Sequence, residues 1–119
     1  MIELLHGAGG LRDARTQARQ VCSSGGVDQE RTDAAVLILS ELAGNALRHG
    51  LPPVQYMTAL DRDEVLVTVE DGAPWLALPW AAAACASDES GRGLFLVSSL
   101  SRSWGWTTIT GGKQVWARV

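Results

Sequence analysis

Leu11, Ala14, Ala18, Val21 and Cys22 return every three or four residues with arginines between them, until Gly25-Gly26 ends the pattern. That spacing predicts one apolar face of a helix. A second helical stretch begins at Asp28, a good N-cap residue, and runs to about His49, where Gly50 and Pro52-Pro53 stop it. Val54 to Leu60 then reads as a strand, Asp61-Arg62-Asp63 as a turn, and Val65, Val67 and Val69 as one face of a second strand. So short a turn pairs the two strands antiparallel. From Gly72 to Gly91 the period is lost across Pro74, Trp75, Pro79, Trp80, an alanine run and the polar Ser87-Asp88-Glu89-Ser90. A loop of that length in a small domain is more often functional than idle. Leu94, Val97 and Leu100 mark a helix over Gly93 to Ser101. Strands over Trp104 to Thr110 and Lys113 to Val119 follow, joined by a hairpin at Gly111-Gly112. The predicted order is α-α-β-β-loop-α-β-β, with no repeat and no linker.

Composition narrows the class without choosing a function. A chain of 119 residues makes one domain and buries roughly two-thirds of its unfolded surface. With 46% hydrophobic and 19% charged residues, disorder and collagen-like repeats are excluded. A net charge of −3 argues against a domain that coats nucleic acid or anionic membrane. Lys113 is the sole lysine, an arginine-for-lysine bias that carries no function by itself. Cys22 and Cys85 form neither a disulfide scaffold nor a zinc spacing, and both are expected to be small buried or half-buried residues. Met1 to Gly10 has no basic start and no long apolar stretch, and no apolar run elsewhere reaches membrane-spanning length, so the expectation is a soluble cytoplasmic protein. Trp104, Trp106 and Trp116 are expected to pack the last hairpin into the core. Trp75 and Trp80, in the long loop, suit either a ligand shield or a partner surface.

Three polar features stand out. Glu41, Asn45 and His49 are four residues apart, so at about 100° per residue they form one helical stripe. The preceding turn of that stripe carries Leu37 and Ile38, which are not solvent-face residues, and the change from apolar to carboxylate, amide and imidazole suggests a cleft wall. A polar helix end meeting water is the plainer alternative. Second, Asp71 ends an apolar strand and is followed by Gly72, a combination that delivers an acid to a pocket rim and lets a ligand near the backbone. A turn-initiating aspartate is the commoner case. Third, Gly91-Arg92-Gly93-Leu94 opens a helix whose free N–H groups and dipole suit phosphate. It is neither a Walker loop nor the dinucleotide fingerprint.

Each feature is modest alone, but their order and spacing are specific. Glu-x-x-x-Asn on a helix, Asp-Gly at a strand end, a long loop and Gly-x-Gly-Leu together resemble the Bergerat ATP site of the histidine kinase-like ATPase (GHKL) superfamily. Ser40-Glu41-Leu42 through His49-Gly50, Gly91-Arg92-Gly93-Leu94, and Trp104-Gly105 with Gly112-Lys113-Gln114-Val115-Trp116 most resemble its anti-sigma-factor serine kinases of actinobacterial type. The resemblance runs from about residue 11 to the C-terminus.

The resemblance implies a single α/β domain over residues 1–119, a two-layer sandwich with a mixed, mainly antiparallel sheet and helices on one face. Its lid would span about residues 74–90. It implies ATP and Mg²⁺ as cofactors. Glu41 would be the general base toward a serine hydroxyl, and Asn45 the Mg²⁺ ligand through a neutral amide oxygen. His49 would support that cluster or the phosphates. Asp71 would accept a hydrogen bond from the adenine amino group and repel the guanine O6, giving ATP over GTP by a wide margin. Gly72 would let the base lie against the strand end. Gly91, Gly93 and Leu94 would shape the phosphate subsite, with Arg92 as a charge partner. Two departures from the pattern are visible: Asp71-Gly72-Ala73-Pro74 replaces Asp-x-Gly-x-Gly, and Gly112-Lys113 stands where some relatives have Gly-Thr. The segment before Leu11 is also shorter than the opening strand of relatives.

The implied function is an ATP-binding anti-sigma regulator that phosphorylates a STAS-type anti-anti-sigma partner and sequesters a sigma factor, as a homodimer. The alternative is an ATP-dependent interaction module with vestigial or no kinase activity. A detached catalytic domain of a histidine kinase ranks last, because such domains usually carry histidine at the position of Glu41.

Overall fold

The computed structural model describes residues 3–5, 7–73 and 89–119, with side chains from Gly10 to Ala73 and from Phe95 onward. A short strand β1 (Glu3–Leu5) leads into α1 (Gly7–Ser24) and α2 (Gln29–His49). The hairpin β2 (Val54–Asp61) and β3 (Glu64–Asp71) follows. Beyond residue 88 come α3 (Glu89–Leu100) and a second hairpin, β4 (Ser103–Ile109) and β5 (Gly112–Arg118). β1 is the element that the hydrophobic pattern does not predict; three residues are too few to show a period. It pairs with the start of β2 through Glu3↔Tyr56 and Leu5↔Val54.

The sheet order is β1-β2-β3-β5-β4. The expected α/β sandwich with a mainly antiparallel sheet is observed, with every pairing among the described strands antiparallel. α2 lies against β3 and β2, with α1 and α3 packed beside it on the same side of the sheet.

Local chemistry explains the boundaries. The Asp28 carboxylate accepts from the Arg31 N–H at 2.8 Å and caps α2, as its position predicted. The Gly50 N–H closes the other end on the Ala46 carbonyl. The first hairpin turns at Arg62, whose φ is +59°, and the second at Thr110-Gly111, with Gly111 at +82°. The second turn thus falls one residue earlier than the expected Gly111-Gly112, and Gly112 is already strand. The long loop also ends earlier: Glu89 and Ser90 belong to α3.

The core gathers Ile38 and Leu39 from α2, Val65 and Val67 from β3, Val97 from α3 and Cys22 from α1. Each large aliphatic side chain buried there contributes roughly 1.5–3 kcal/mol. Cys22 is buried as expected, and burial pushes its thiol above the ordinary range despite a hydrogen bond with Thr32 and the Arg31 charge. Arg31 also ties the start of α2 to the chain end, donating to the Val119 carbonyl at 3.0 Å and to the Asp63 carbonyl.

Two expectations are corrected. Leu37 is 41% exposed although Ile38 beside it is fully buried, because only Ile38 points at the sheet. Trp104 does pack against the core, but Trp116 lies on the opposite face of the sheet with Leu66, Thr68, Gln114 and Arg118. The register decides this: Trp116 pairs with Thr68 and Gly105, one residue out of phase with Ala117 and Val67.

Candidate functional site

The C-terminal end of α2 meets the end of β3, and the start of β5 is paired with β3 there. α2 brings Glu41, half-buried, then Asn45, 5% exposed, then His49 at its exposed last residue. Among the described residues nothing hydrogen-bonds the Glu41 carboxylate. The Asn45 amide oxygen accepts from the Arg48 guanidinium at 2.8 Å, while its Nδ2 is buried without a partner. An orphaned buried donor costs about 1–3 kcal/mol and calls for an acceptor.

Asp71 lies one helical turn beyond. A side chain on Gly50 would sit 2.5 Å from the Asp71 carboxyl carbon, so only glycine lets the end of α2 approach this closely. The Asp71 Oδ1 accepts from the Ala73 N–H at 2.7 Å, the two-residue local bond of a turn-forming aspartate. The same oxygen accepts from the Lys113 Nζ at 2.8 Å, with both side chains 4% exposed. Register places them together, since Asp71 and Lys113 are cross-strand partners on β3 and β5. Gly112 is required beside them, because a Cβ there would collide with the Asp71 carbonyl oxygen.

An acid at this point faces an electrostatic difficulty that Lys113 resolves. The carboxylate abuts the C-terminal end of α2, the negative end of the helix dipole, where an anion is disfavoured. A buried ammonium compensates both the dipole and the desolvated charge. The resemblance marks Lys113 only as a departure from Gly-Thr and does not link it to Asp71, yet one signal for that link was available. The chain's only lysine falls in phase with the inward-facing Val115 and Ala117, and an inward ammonium needs a carboxylate opposite. Arg48 carried a weaker signal, three residues beyond Asn45 on the same helix.

Gly72 has a local explanation. Its N–H donates to the Leu51 carbonyl at 2.6 Å, and a Cβ would lie 2.8 Å from the Pro52 carbonyl oxygen, so neighbouring backbone fills that space. Gly91, Arg92, Gly93 and Leu94 lie within α3 rather than ahead of it, and α3 packs on α2. Counting from Glu89, Gly91 falls among the first four residues, whose N–H groups lack intrahelical acceptors, while Gly93 is the fifth. The side chains of Arg92 and Leu94 lie outside the described residues. So do Trp75, Trp80, Cys85 and the expected lid as far as residue 88.

Among the described residues no group of three or more His, Cys, Asp or Glu side chains could hold a metal. A magnesium ion here would depend on the Asn45 amide oxygen together with phosphate oxygens and water. That oxygen keeps a second lone pair, but the Arg48 cation 2.8 Å away opposes another cation. The residues fit magnesium only once Arg48, itself exposed, has swung aside.

Among known families, the model of the histidine kinase-like ATPase domain matches residues 8–119. No curated protein matches the chain. No helix among the described residues is long and apolar enough to cross a membrane.

Proposed function

Because the chain belongs to the histidine kinase-like ATPase domain family, we propose that it is an ATP-dependent serine kinase that regulates an anti-anti-sigma partner. The observation that carries the kinase reading is Glu41. It is a half-buried carboxylate with no partner among the described residues, one turn before Asn45, whose buried Nδ2 awaits an acceptor. A phosphate oxygen would satisfy that donor. A serine hydroxyl aimed at the γ-phosphorus would then have Glu41 within reach of its proton.

In this reading the serine Oγ forms a bond to the γ-phosphorus as the bond to the β,γ-bridging oxygen breaks. ADP leaves with that electron pair, and the serine proton passes to the Glu41 carboxylate. General-base assistance of this kind contributes about 10²–10⁴-fold. Magnesium, when bound, supplies charge neutralisation at the phosphates. Asn45 would hold it, with Arg48 moved off the amide oxygen. The target is a STAS-type protein, the phosphorylated form of which would release this chain to sequester a sigma factor. A homodimer is the expected assembly.

The test is transfer of labelled γ-phosphate to a serine of a cognate STAS-type protein, run beside Glu41→Gln. Transfer should fall about 10²–10⁴-fold in the variant with ATP affinity kept. Full transfer by Glu41→Gln removes the assignment of the base, and no transfer to any cognate partner removes the kinase reading.

A second reading has its own observation: Arg48 holds the Asn45 oxygen and Lys113 holds the Asp71 oxygen, so two polar groups expected to hold the ligand are already engaged. On that reading the chain docks onto its partner without catalysis. Partner binding unchanged by ATP would favour it.

A further inference from the structure

Among the described residues, β1 and β4 lie at the two edges of the sheet, and they are built differently. β1 is three residues long, and so short an edge offers little to pair with. β4 is seven residues long and runs against β5 in unbroken one-to-one register, from Ser103↔Arg118 to Ile109↔Gly112, with no bulge to turn it aside. Its sequence, Ser-Trp-Gly-Trp-Thr-Thr-Ile, holds no charged residue and no proline, the devices by which natural sheets blunt an edge. Among the described residues no strand pairs with its outer side. An edge so long and so unguarded presents a row of backbone donors and acceptors to another strand.

We propose that β4 pairs with β4 of a second copy, antiparallel and centred on Trp106, so that two five-stranded sheets become one continuous sheet. The inference rests on the homodimer reading above and gives that dimer its surface. Full overlap of Ser103–Ile109 with its own copy sets Trp106 opposite Trp106, Trp104 opposite Thr108, and Gly105 opposite Thr107. Alternate residues of a strand share a face, so both members of every such pair lie on one face of the joined sheet. Trp104, which packs against the core, fixes the helix side for Trp106 and Thr108 as well. Aromatic pairs and aromatic–β-branched pairs are the favourable ones across antiparallel strands. On the other face Thr107 meets Gly105, against which the ring of Trp116 lies. A charged strand from another protein would find no opposite charge along β4, whereas the identical strand brings none. The net charge of −3 on each copy opposes the association only weakly.

The experiment is sedimentation equilibrium of the full chain, repeated on Trp106→Lys and Thr107→Lys. At about 0.1 mM the parent should sediment as a dimer, of the weak class that one pair of strands supports. Trp106→Lys sets two ammonium groups directly opposite each other at the centre of the pairing and should raise the dissociation constant about tenfold or more. Thr107→Lys changes an exposed residue and places the two charges diagonally, so the rise should be severalfold. Amide hydrogen exchange across Ser103–Ile109 should slow as the parent concentration is raised. A parent that stays monomeric overturns the inference and the homodimer expectation together. A dimer that neither lysine weakens overturns the inference alone, since the homodimer then forms through another surface. Should Trp106→Lys not fold, Thr107→Lys and the exchange of the β4 amides decide.

Discussion

The Lys113–Asp71 pair makes a demanding prediction about stability. At 2.8 Å, with an effective dielectric of about 20, the mutual attraction is about 6 kcal/mol. Against it stands a desolvation penalty of several kcal/mol for each ion, so the intact pair adds little net stability. Removing one partner is different, because the survivor keeps its penalty and loses its compensation. Asp71→Asn strands a buried ammonium and Lys113→Met strands a buried carboxylate, and each change should cost about 3–5 kcal/mol. That is a large part of the roughly 5–15 kcal/mol that holds a typical domain together. For a chain of this length it corresponds to about 10–25 °C in melting temperature. The double variant removes both charges and should recover most of the loss, giving a coupling of several kcal/mol in a double-mutant cycle. Urea unfolding followed by tryptophan fluorescence measures all four proteins. Single variants within about 1 kcal/mol of the parent, or losses that simply add, would refute the account of a buried, mutually dependent pair. The same numbers constrain binding studies: loss of nucleotide in Asp71→Asn carries meaning only where circular dichroism shows that the variant is folded.

Three further changes probe the surroundings. Gly112→Ala drives a methyl group into the Asp71 carbonyl and should cost about 1–3 kcal/mol by chemical denaturation. Gly111→Ala meets no neighbour but must hold φ at +82°, and should cost about 1–2 kcal/mol. Equal, negligible losses would disprove the close approach. Arg118, hydrogen-bonded to Asp61 at 2.8 Å, holds the Asp61 carboxyl below its ordinary range, first through that bond and then through its charge. With the folded value lowered, this contribution to stability is present above the unfolded value and is lost as pH falls through the folded one. Carboxyl-detected NMR titration should show Asp61 returning to its ordinary range in Arg118→Met; no movement would remove Arg118 as the cause. Arg48→Ala frees the Asn45 oxygen and should lower the Mg²⁺ concentration needed for half-maximal ATP binding, and an unchanged requirement would show that Arg48 does not guard it.

The fold was legible wherever one face of an element is apolar over several turns or alternations. α1, α2 and both hairpins declared themselves because Ala14, Ala18 and Cys22, or Val65, Val67 and Val69, repeat on a face that is buried. β1 was not legible, since its three residues gain their partners only from β2. Trp116 lies away from the core although its residue type predicts burial there, because β5 carries apolar residues on both faces and only pairing with Thr68 tells which side is which. The site divides in the same way. Spacing along α2 was enough to put Glu41, Asn45 and His49 on one stripe, since four residues make about one helical turn.

What the spacing did not reveal is that neighbours already hold the site's polar atoms. Arg48 is local to Asn45, but Lys113 reaches Asp71 only after β3 and β5 have paired, 42 positions apart. A motif records which residue types stand in line, whereas the sheet register decides which charges share a buried pocket. On the reading that Asp71 meets the base of a nucleotide, it has two roles that pull against each other. As a base acceptor it must offer an oxygen to a ligand, and as a buried anion against the end of α2 it must keep a cation. Lys113 satisfies the second demand with one proton, on Oδ1, and leaves Oδ2 without a hydrogen bond among the described residues. A threonine there would leave the carboxylate's charge uncompensated. Lys113 thus holds that corner of the domain together, and any ligand that meets Asp71 meets it beside a buried ammonium.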